Sequence, residues 1–282
     1  MGINNTEKYL KYRPKKFLGQ NFLVDDNIAM KIVKSLEISP DDFLIEIGPG
    51  YGSLTKHIIK VADNYLAVEI DKGIADKLKE DLIIKSQGKN HNVLSKDFLK
   101  FDFTADTAKF NSEKRKIKIA GNIPYNITTE VIFKLFDNKE LLSCAVMMIQ
   151  REVADRLTAK KDTKEFGILA VMTQFNSEVK VLFSVPPTAF FPKPKVHSSI
   201  IKLDFGTPRY SVKDYELMRD LVRASFGKRR KTMRNSLKDF FEKNKISPGE
   251  INFDFSRRAE NVSVEEYVKL SDEIYRIRVN VQ

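Results

Sequence analysis

Short apolar runs, bounded by charged or glycine-rich turns, recur through the first two thirds of the chain. Residues 43–47, 65–70, 91–94, 117–120 and 145–149 read as buried strands. Helical spacing fills the gaps. Ile28, Ile32 and Val33 mark one face of a helix over 25–36, with Asp25 or Asp26 available as its cap. Another helix runs to Ile59, a charged one follows Asp71, and 128–136 and 152–157 continue the series. Strands alternating with helices predict an α/β fold built on a doubly wound, mostly parallel, Rossmann-like sheet.

The texture changes after residue 178. Residues 179–185 and 198–205 are β-rich runs separated by a stretch holding Pro186, Pro187, Pro192 and Pro194. They predict a long hairpin that closes the sheet with an antiparallel strand. Near Gly206-Thr207-Pro208 the pattern turns helical and basic. The expected division is therefore a domain over 1–205 with a basic N-terminal arm, and a small all-α domain over 206–282. The arm carries Lys8, Lys11, Arg13, Lys15 and Lys16 within residues 1–20. Neither an internal repeat nor a low-complexity segment is visible.

Composition narrows the class. The 282 residues carry a formal net charge of +11, which points to a polyanionic partner such as nucleic acid. The single cysteine, Cys144, lies in an apolar run; it rules out an intrachain disulfide and fits a reducing compartment. Charges interrupt every apolar stretch before Phe43, and no run nears the roughly 18 residues of a membrane helix. A soluble, cytoplasmic, monomeric protein is expected. One cysteine and the scattered His57, His91 and His197 argue against a zinc site.

Two turns carry chemistry. Gly48-Pro49-Gly50-Tyr51-Gly52 follows the first strand and leaves Ser53 where a dinucleotide fingerprint would place its third glycine. With Glu46 two residues ahead, the spacing is the S-adenosylmethionine variant of a nucleotide-binding turn. Glu69, ending the next strand, is placed for the ribose hydroxyls, although NAD enzymes carry an acid there too. Asp97, after the third strand, is placed for the cofactor's adenine amino group.

The second turn is Asn122-Ile123-Pro124-Tyr125, between the fourth strand and a helix. An amide, a rigid proline turn and an exposed aromatic suit the gripping of a planar base that bears an amino group. Adenine N6 is a poor nucleophile because its lone pair is delocalised into the ring. Accepting both N–H groups, at the Asn122 side-chain oxygen and at a backbone carbonyl of the Ile123-Pro124 unit, frees that pair for attack on a sulfonium methyl. Proline fixes φ and aims the carbonyl, while Tyr125 stacks on the extruded base.

Lys228-Arg229-Arg230-Lys231, extended by Arg234, accompanies the apolar stripe Met233, Leu237 and Phe240. It reads as a basic helix that neutralises phosphates without reading bases. Phe190 and Phe191, stiffened by nearby prolines, have two readings: stacking on the other face of the target base, or core packing.

These residues together resemble the ribosomal RNA small-subunit adenine N6,N6-dimethyltransferase family. The likeness rests on Lys16-Phe17-Leu18-Gly19-Gln20-Asn21-Phe22-Leu23, Glu46 to Gly52, Asn122 to Thr128, and Ala189-Phe190 through Pro194-Lys195-Val196. It continues in Arg229-Arg230-Lys231-Thr232, Arg234-Asn235 and Arg258-Ala259-Glu260-Asn261, and so spans nearly the whole chain in order. The resemblance implies that Asn21 and Leu23 join Gly48, Gly50, Glu69, Asp97 and Asn122 in holding S-adenosylmethionine. It implies that Tyr125 and Phe190 sandwich the target adenine. It further implies dimethylation of two adjacent adenosines in a hairpin loop near the 3′ end of small-subunit rRNA, on a pre-30S particle. Two rival readings share the fold: the large-subunit rRNA dimethyltransferase of macrolide resistance, and a non-catalytic RNA-binding assembly or transcription factor.

Overall fold

The computed structural model describes residues 19–86, 88–206, 209–228 and 230–280. The basic arm and Arg229 lie outside them. Among the described residues, seven strands form one sheet in the order β4-β3-β2-β5-β6-β9-β7. These are β2 (Phe43–Ile47), β3 (Asn64–Glu69), β4 (Asn90–Ser95), β5 (Ile117–Asn122), β6 (Leu142–Gln150), β7 (Glu178–Val185) and β9 (Ser198–Asp204). Strands β2 to β6 pair in parallel, and β9 pairs antiparallel with β6. The expected closing hairpin therefore supplies two strands, with β9 inserted between β6 and the edge strand β7.

Burial explains which runs were easy to read. All five residues of β2 are buried, including Glu46, because helices cover both faces of a parallel sheet. Strand β4 is an edge, and its sequence Asn-His-Asn-Val-Leu-Ser is correspondingly polar and only half-buried. Helix α1 (Asp26–Ser35) starts as its spacing predicts: Asp25 Oδ1 accepts the Ile28 N–H at 3.0 Å. Helix α2 (Thr55–Val61) follows the glycine loop, α3 (Lys72–Lys85) follows β3, and α4 (Thr128–Asp137) follows β5.

Strand order decides where chemistry can sit. The chain lays β3 and β4 to one side of β2, then returns to add β5 and β6 on the other. The turns leaving β2 and β5 thus diverge at a topological switch point, where open α/β sheets bind ligands. Register places Ile47 opposite both Val68 and Gly121. Consequently Gly48, Glu69 and Asn122, far apart in sequence, stand at the ends of three adjacent strands. A separate two-stranded ribbon joins β1 (Phe22–Leu23) to β8 (Phe190–Phe191) antiparallel.

The chain divides into two compact units, one of residues 1–154 with 180–206, the other of 155–179 with 207–282. The sequence reading assigned 155–179 to the first domain; here they cluster with the C-terminal helices. The reason is the helix Ile168–Asn176, buried on nearly every side at Leu169, Ala170, Val171, Met172 and Phe175. A helix apolar all round needs helices around it, and within the second unit Tyr215–Phe226 and Val264–Asn280 pack against it. Phe166, Phe226 and Tyr267 continue that core, with ring centroids 6.4 and 6.2 Å apart.

Candidate active site

The glycine loop turns by left-handed backbone at Gly48, Gly50 and Gly52, with φ of 60°, 54° and 79°. Two of these glycines do different work. A Cβ on Gly50 would meet the Phe22 ring at 3.0 Å, whereas one on Gly48 would meet nothing within 4 Å. Gly50 is therefore required for packing, while Gly48 leaves open space for a ligand.

Below the loop, Glu46 Oε2 accepts from the Thr55 hydroxyl at 2.7 Å and the Tyr65 phenol at 2.6 Å. Full burial pushes its pKa up to about 7 despite those donors. Glu46 is thus a buried pin beneath the loop, tying β2, β3 and the start of α2. Glu69 stands at the rim instead. Its Oε2 accepts the Gly50 N–H at 3.1 Å and its Oε1 the Asp71 N–H at 2.9 Å. Burial raises its pKa as well.

The tetrad leaves β5 under tight backbone control. The Ile123 N–H donates to the Met148 carbonyl at 3.0 Å. Asn122 Nδ2 donates to the Asn21 carbonyl at 2.7 Å, which fixes the amide and leaves Oδ1 as its acceptor end. The Pro124 carbonyl already accepts from Ile127 N–H at 3.1 Å and Thr128 Oγ1 at 3.2 Å. Of the two carbonyls in the Ile123-Pro124 unit, Ile123 is the one left for a ligand. The Tyr125 phenol shares a 2.8 Å hydrogen bond with Ser198 Oγ, and burial raises its pKa, so the ring stays neutral.

A cleft of about 520 Å³, including the solvent at its mouth, gathers these groups. It is lined by residues 19–22, by Gly48, Gly50, Glu69 and Ile70, and by residues 122–125. The structure thus brings Asn21, Gly48, Gly50, Glu69, Asn122, Pro124 and Tyr125 together. Three other expected residues do not line it. Leu23 is buried in the core, with its carbonyl accepting Ser53 Oγ at 2.5 Å. Asp97 follows β4, where its Oδ1 caps a short turn by accepting the Leu99 N–H at 2.9 Å. Phe190, 2% exposed, pairs with Leu23 across the ribbon and packs in the core. Its neighbour Phe191 is half-buried beside Phe22 and Tyr51.

Several site residues carried no assigned role in the sequence. Phe22 and Tyr51 pair their rings at 4.6 Å beside the loop. Ser198 anchors Tyr125 from β9, which only the sheet order brings near. Gly121 admits no side chain, since a Cβ would lie 2.8 Å from the Ile47 carbonyl; it lets β5 carry Asn122 close against β2.

In the second unit, Lys228, Arg230, Lys231 and Arg234 are exposed. They do not share one helix. Lys228, Arg230 and Lys231 lie between the helices Tyr215–Phe226 and Met233–Ser236, where Thr232 bridges to Arg258 and the Met233 N–H donates to the Arg257 carbonyl at 2.7 Å. Among the described residues, no group of three or more His, Cys, Asp or Glu is arranged to hold a metal ion.

With this geometry in place, the profile of the family described as ribosomal RNA adenine dimethylase matches residues 12–276. The chain belongs to that family. It is 37% identical over 262 residues to the ribosomal RNA small subunit methyltransferase A of Francisella tularensis subsp. novicida, covering 93% of this chain and 98% of that protein. A dimethyladenosine transferase from Plasmodium falciparum superposes with a TM-score of 0.70 at 26% identity, over 88% of this chain and 95% of that one. The 23S rRNA methyltransferase ErmE superposes at 0.63 with 25% identity, over 90% and 100%.

Proposed function

We propose that this protein transfers methyl groups from S-adenosylmethionine to N6 of two adjacent adenosines in a 3′-terminal hairpin loop of small-subunit rRNA. The observation that carries this reading is the Asn122 amide, held by Asn21 with its oxygen presented in the same cleft as Gly48 and Glu69. The donor fits that cradle: Gly48 faces open space, and Glu69 offers a carboxylate fixed by backbone amides at the rim. When bound, S-adenosylmethionine supplies an electrophilic sulfonium methyl.

The chain's own groups then act on the base. Asn122 Oδ1 and the Ile123 carbonyl accept the two N6 hydrogens, drawing the nitrogen toward a tetrahedral geometry. Tyr125, held at its hydroxyl by Ser198, offers its neutral ring as the stacking platform. The amine attacks as a neutral group, so no general base is needed beforehand; after transfer the N6 proton passes to water and a neutral thioether is left. Fixing both partners in one cleft supplies most of the acceleration, an effect that reaches roughly 7–11 kcal/mol when geometry is optimal. For a base already carrying one methyl, only one hydrogen remains to be accepted, and either acceptor can take it.

Leu23 and Asp97 enter this reading as cofactor contacts through the Leu23 backbone and the rim after β4. Phe190 enters as the second aromatic, which its present core packing requires to be exchanged with Phe191 or turned outward. The basic residues Lys228, Arg229, Arg230, Lys231 and Arg234 hold RNA phosphates. The protein works as a cytoplasmic monomer on a pre-30S particle; no helix of the described residues is long and apolar enough to cross a membrane.

The 23S methyltransferase likeness keeps one second reading, adenine methylation of large-subunit rRNA. A methyl-transfer assay with radiolabelled donor on unmodified small and large subunits separates them. Label should enter small-subunit rRNA as N6,N6-dimethyladenosine, at up to four methyls per particle. Incorporation into the large subunit alone would overturn the proposal.

A further inference from the structure

We infer that the loop between Leu157 and Ile168, together with the turn Arg258-Ala259-Glu260-Asn261, forms a second phosphate-binding surface that extends the one offered by Arg230, Lys231 and Arg234. Its ligand is the sugar-phosphate backbone of RNA, read without base specificity. The inference rests on the RNA-binding reading above and adds to it a surface outside the cluster already named.

The loop is fastened, not free. The Asp162 N–H donates to the Glu260 carbonyl at 2.9 Å, and Asn261 Nδ2 donates to Asp162 Oδ1 at 2.8 Å. Asp162 takes a left-handed backbone, φ 70°, to make this double contact. Lys160, Lys161 and Lys164 are all exposed on the loop so held. Its ends are sunk in the second unit's core at Ala159 and Phe166.

The same turn is fastened to the basic segment on its other side. Thr232 bridges to Arg258, and the Arg234 N–H donates to the Phe255 carbonyl at 2.9 Å. Arg257 braces the turn from within, pairing with Glu266 Oε1 at 2.5 Å and donating to the Asn261 carbonyl. The Tyr267 phenol donates to the Ala259 carbonyl at 3.1 Å.

Charge on this face favours an anion. Lys160, Lys161 and Lys164 on the loop join Arg258 on the turn, beside Arg230, Lys231 and Arg234. The opposing carboxylates are Asp162, Glu165 and Glu260. Asp162 accepts from Asn261 through Oδ1 and lies 3.9 Å from Lys161 through Oδ2, and Glu260 lies 3.9 Å from Arg258, so the cations still outnumber the carboxylates. A row of cations on a braced backbone suits a strand of regularly spaced phosphates, since little side-chain order beyond the lysine tips must be imposed on binding.

The test uses the full chain and a naked RNA hairpin, with affinity measured against salt. Lys160→Gln/Lys161→Gln/Lys164→Gln should lower the slope of log affinity against log salt by about 2–3, at roughly 0.7–0.9 per phosphate contact. Cofactor affinity, the melting temperature and the rate at saturating RNA should stay unchanged. Asn261→Ala retains every cation but frees the loop, and should weaken RNA binding several-fold. A triple variant with the parent slope overturns the proposal, as does Asn261→Ala with parent affinity. Neutralising Arg230, Lys231 and Arg234 in parallel separates the two readings: if that slope is also unchanged, the RNA-binding reading itself fails.

Discussion

The two units of this protein hold their polar groups by opposite means. The sheet unit fixes a few groups in place: Asn122 by Asn21, Tyr125 by Ser198, Glu69 by Gly50 and Asp71. Geometry sets these groups: Asn122 spends its Nδ2 on the Asn21 carbonyl and keeps Oδ1, and Glu69 accepts a backbone N–H at each carboxylate oxygen. The helical unit fixes backbone instead, through Thr232–Arg258 and Asp162–Glu260, and leaves cation tips in solvent. Under the proposed function, such tips hold phosphates electrostatically, additively over many weak contacts and with sensitivity to salt. On that reading, this difference makes one chain exacting about an amino group yet tolerant of the sequence around it. Variants in the two units should therefore fail in different observables.

The sharpest break falls in the sheet unit. Asn122→Ala removes a preorganised acceptor, and such losses cost about 10²–10³ in turnover. Cofactor affinity, measured by calorimetry, should change little, because Gly48 and Glu69 are untouched. Near-normal turnover on small subunits would show that the amide is not the acceptor. Next comes the pin beneath the loop. Folded Glu46 keeps its proton to about pH 7, against the usual 4.5, so the folded chain binds more protons between those values. Its contribution to stability therefore falls as pH rises through that window and stays low above it. Glu46→Gln, which cannot ionise, should flatten this decline, with a gain at pH 8 of up to roughly 3 kcal/mol. Denaturant midpoints of both proteins from pH 4 to 8 measure the difference. Glu69, also raised by burial, leaves a residual slope of the same sign in both.

In the helical unit the comparable change is smaller at any one salt concentration. Arg230→Gln/Lys231→Gln/Arg234→Gln should weaken RNA binding about tenfold to a hundredfold and reduce the salt slope by about 2–3. The rate at saturating RNA should survive. A fall in that rate with an unchanged slope would erase the distinction between the units.

What was legible in the sequence follows the same divide. The central strands announced themselves because both their faces are buried, whereas the switch point required the strand order. Asn122, Gly48 and Glu69 stand out in the sequence by their motifs and strand-end positions, and the strand order gathers them in one cleft. Phe190 was ambiguous for a physical reason: in the ribbon with β1, alternate residues face core and surface, and the pairing register that decides between Phe190 and Phe191 is not written locally. The helix Ile168–Asn176 was missed as a member of the second unit, since an all-apolar run states burial without naming its neighbours. Likewise Arg258 to Asn261 could be seen as a motif, but its role as a brace for 232–234 required the fold.

Ser198 offers the finest test, because no local pattern connects it to Tyr125. Its hydroxyl is buried and meets the phenol at 2.8 Å, so the bond orients the ring without touching a base. Ser198→Ala should leave the ring in place but loosen its angle, raising KM for RNA several-fold with kcat nearly unchanged. Tyr125→Phe keeps the stacking surface and removes the same bond, so it should behave alike. If the two groups act only through each other, the double variant should be no worse than either single one, as neighbours in one interaction are non-additive. Additive losses would mean that Ser198 and the phenol serve the base separately. In that case geometric control in the sheet unit would end at Asn122, and Tyr125 would act by area alone, as the lysines of the helical unit act by charge.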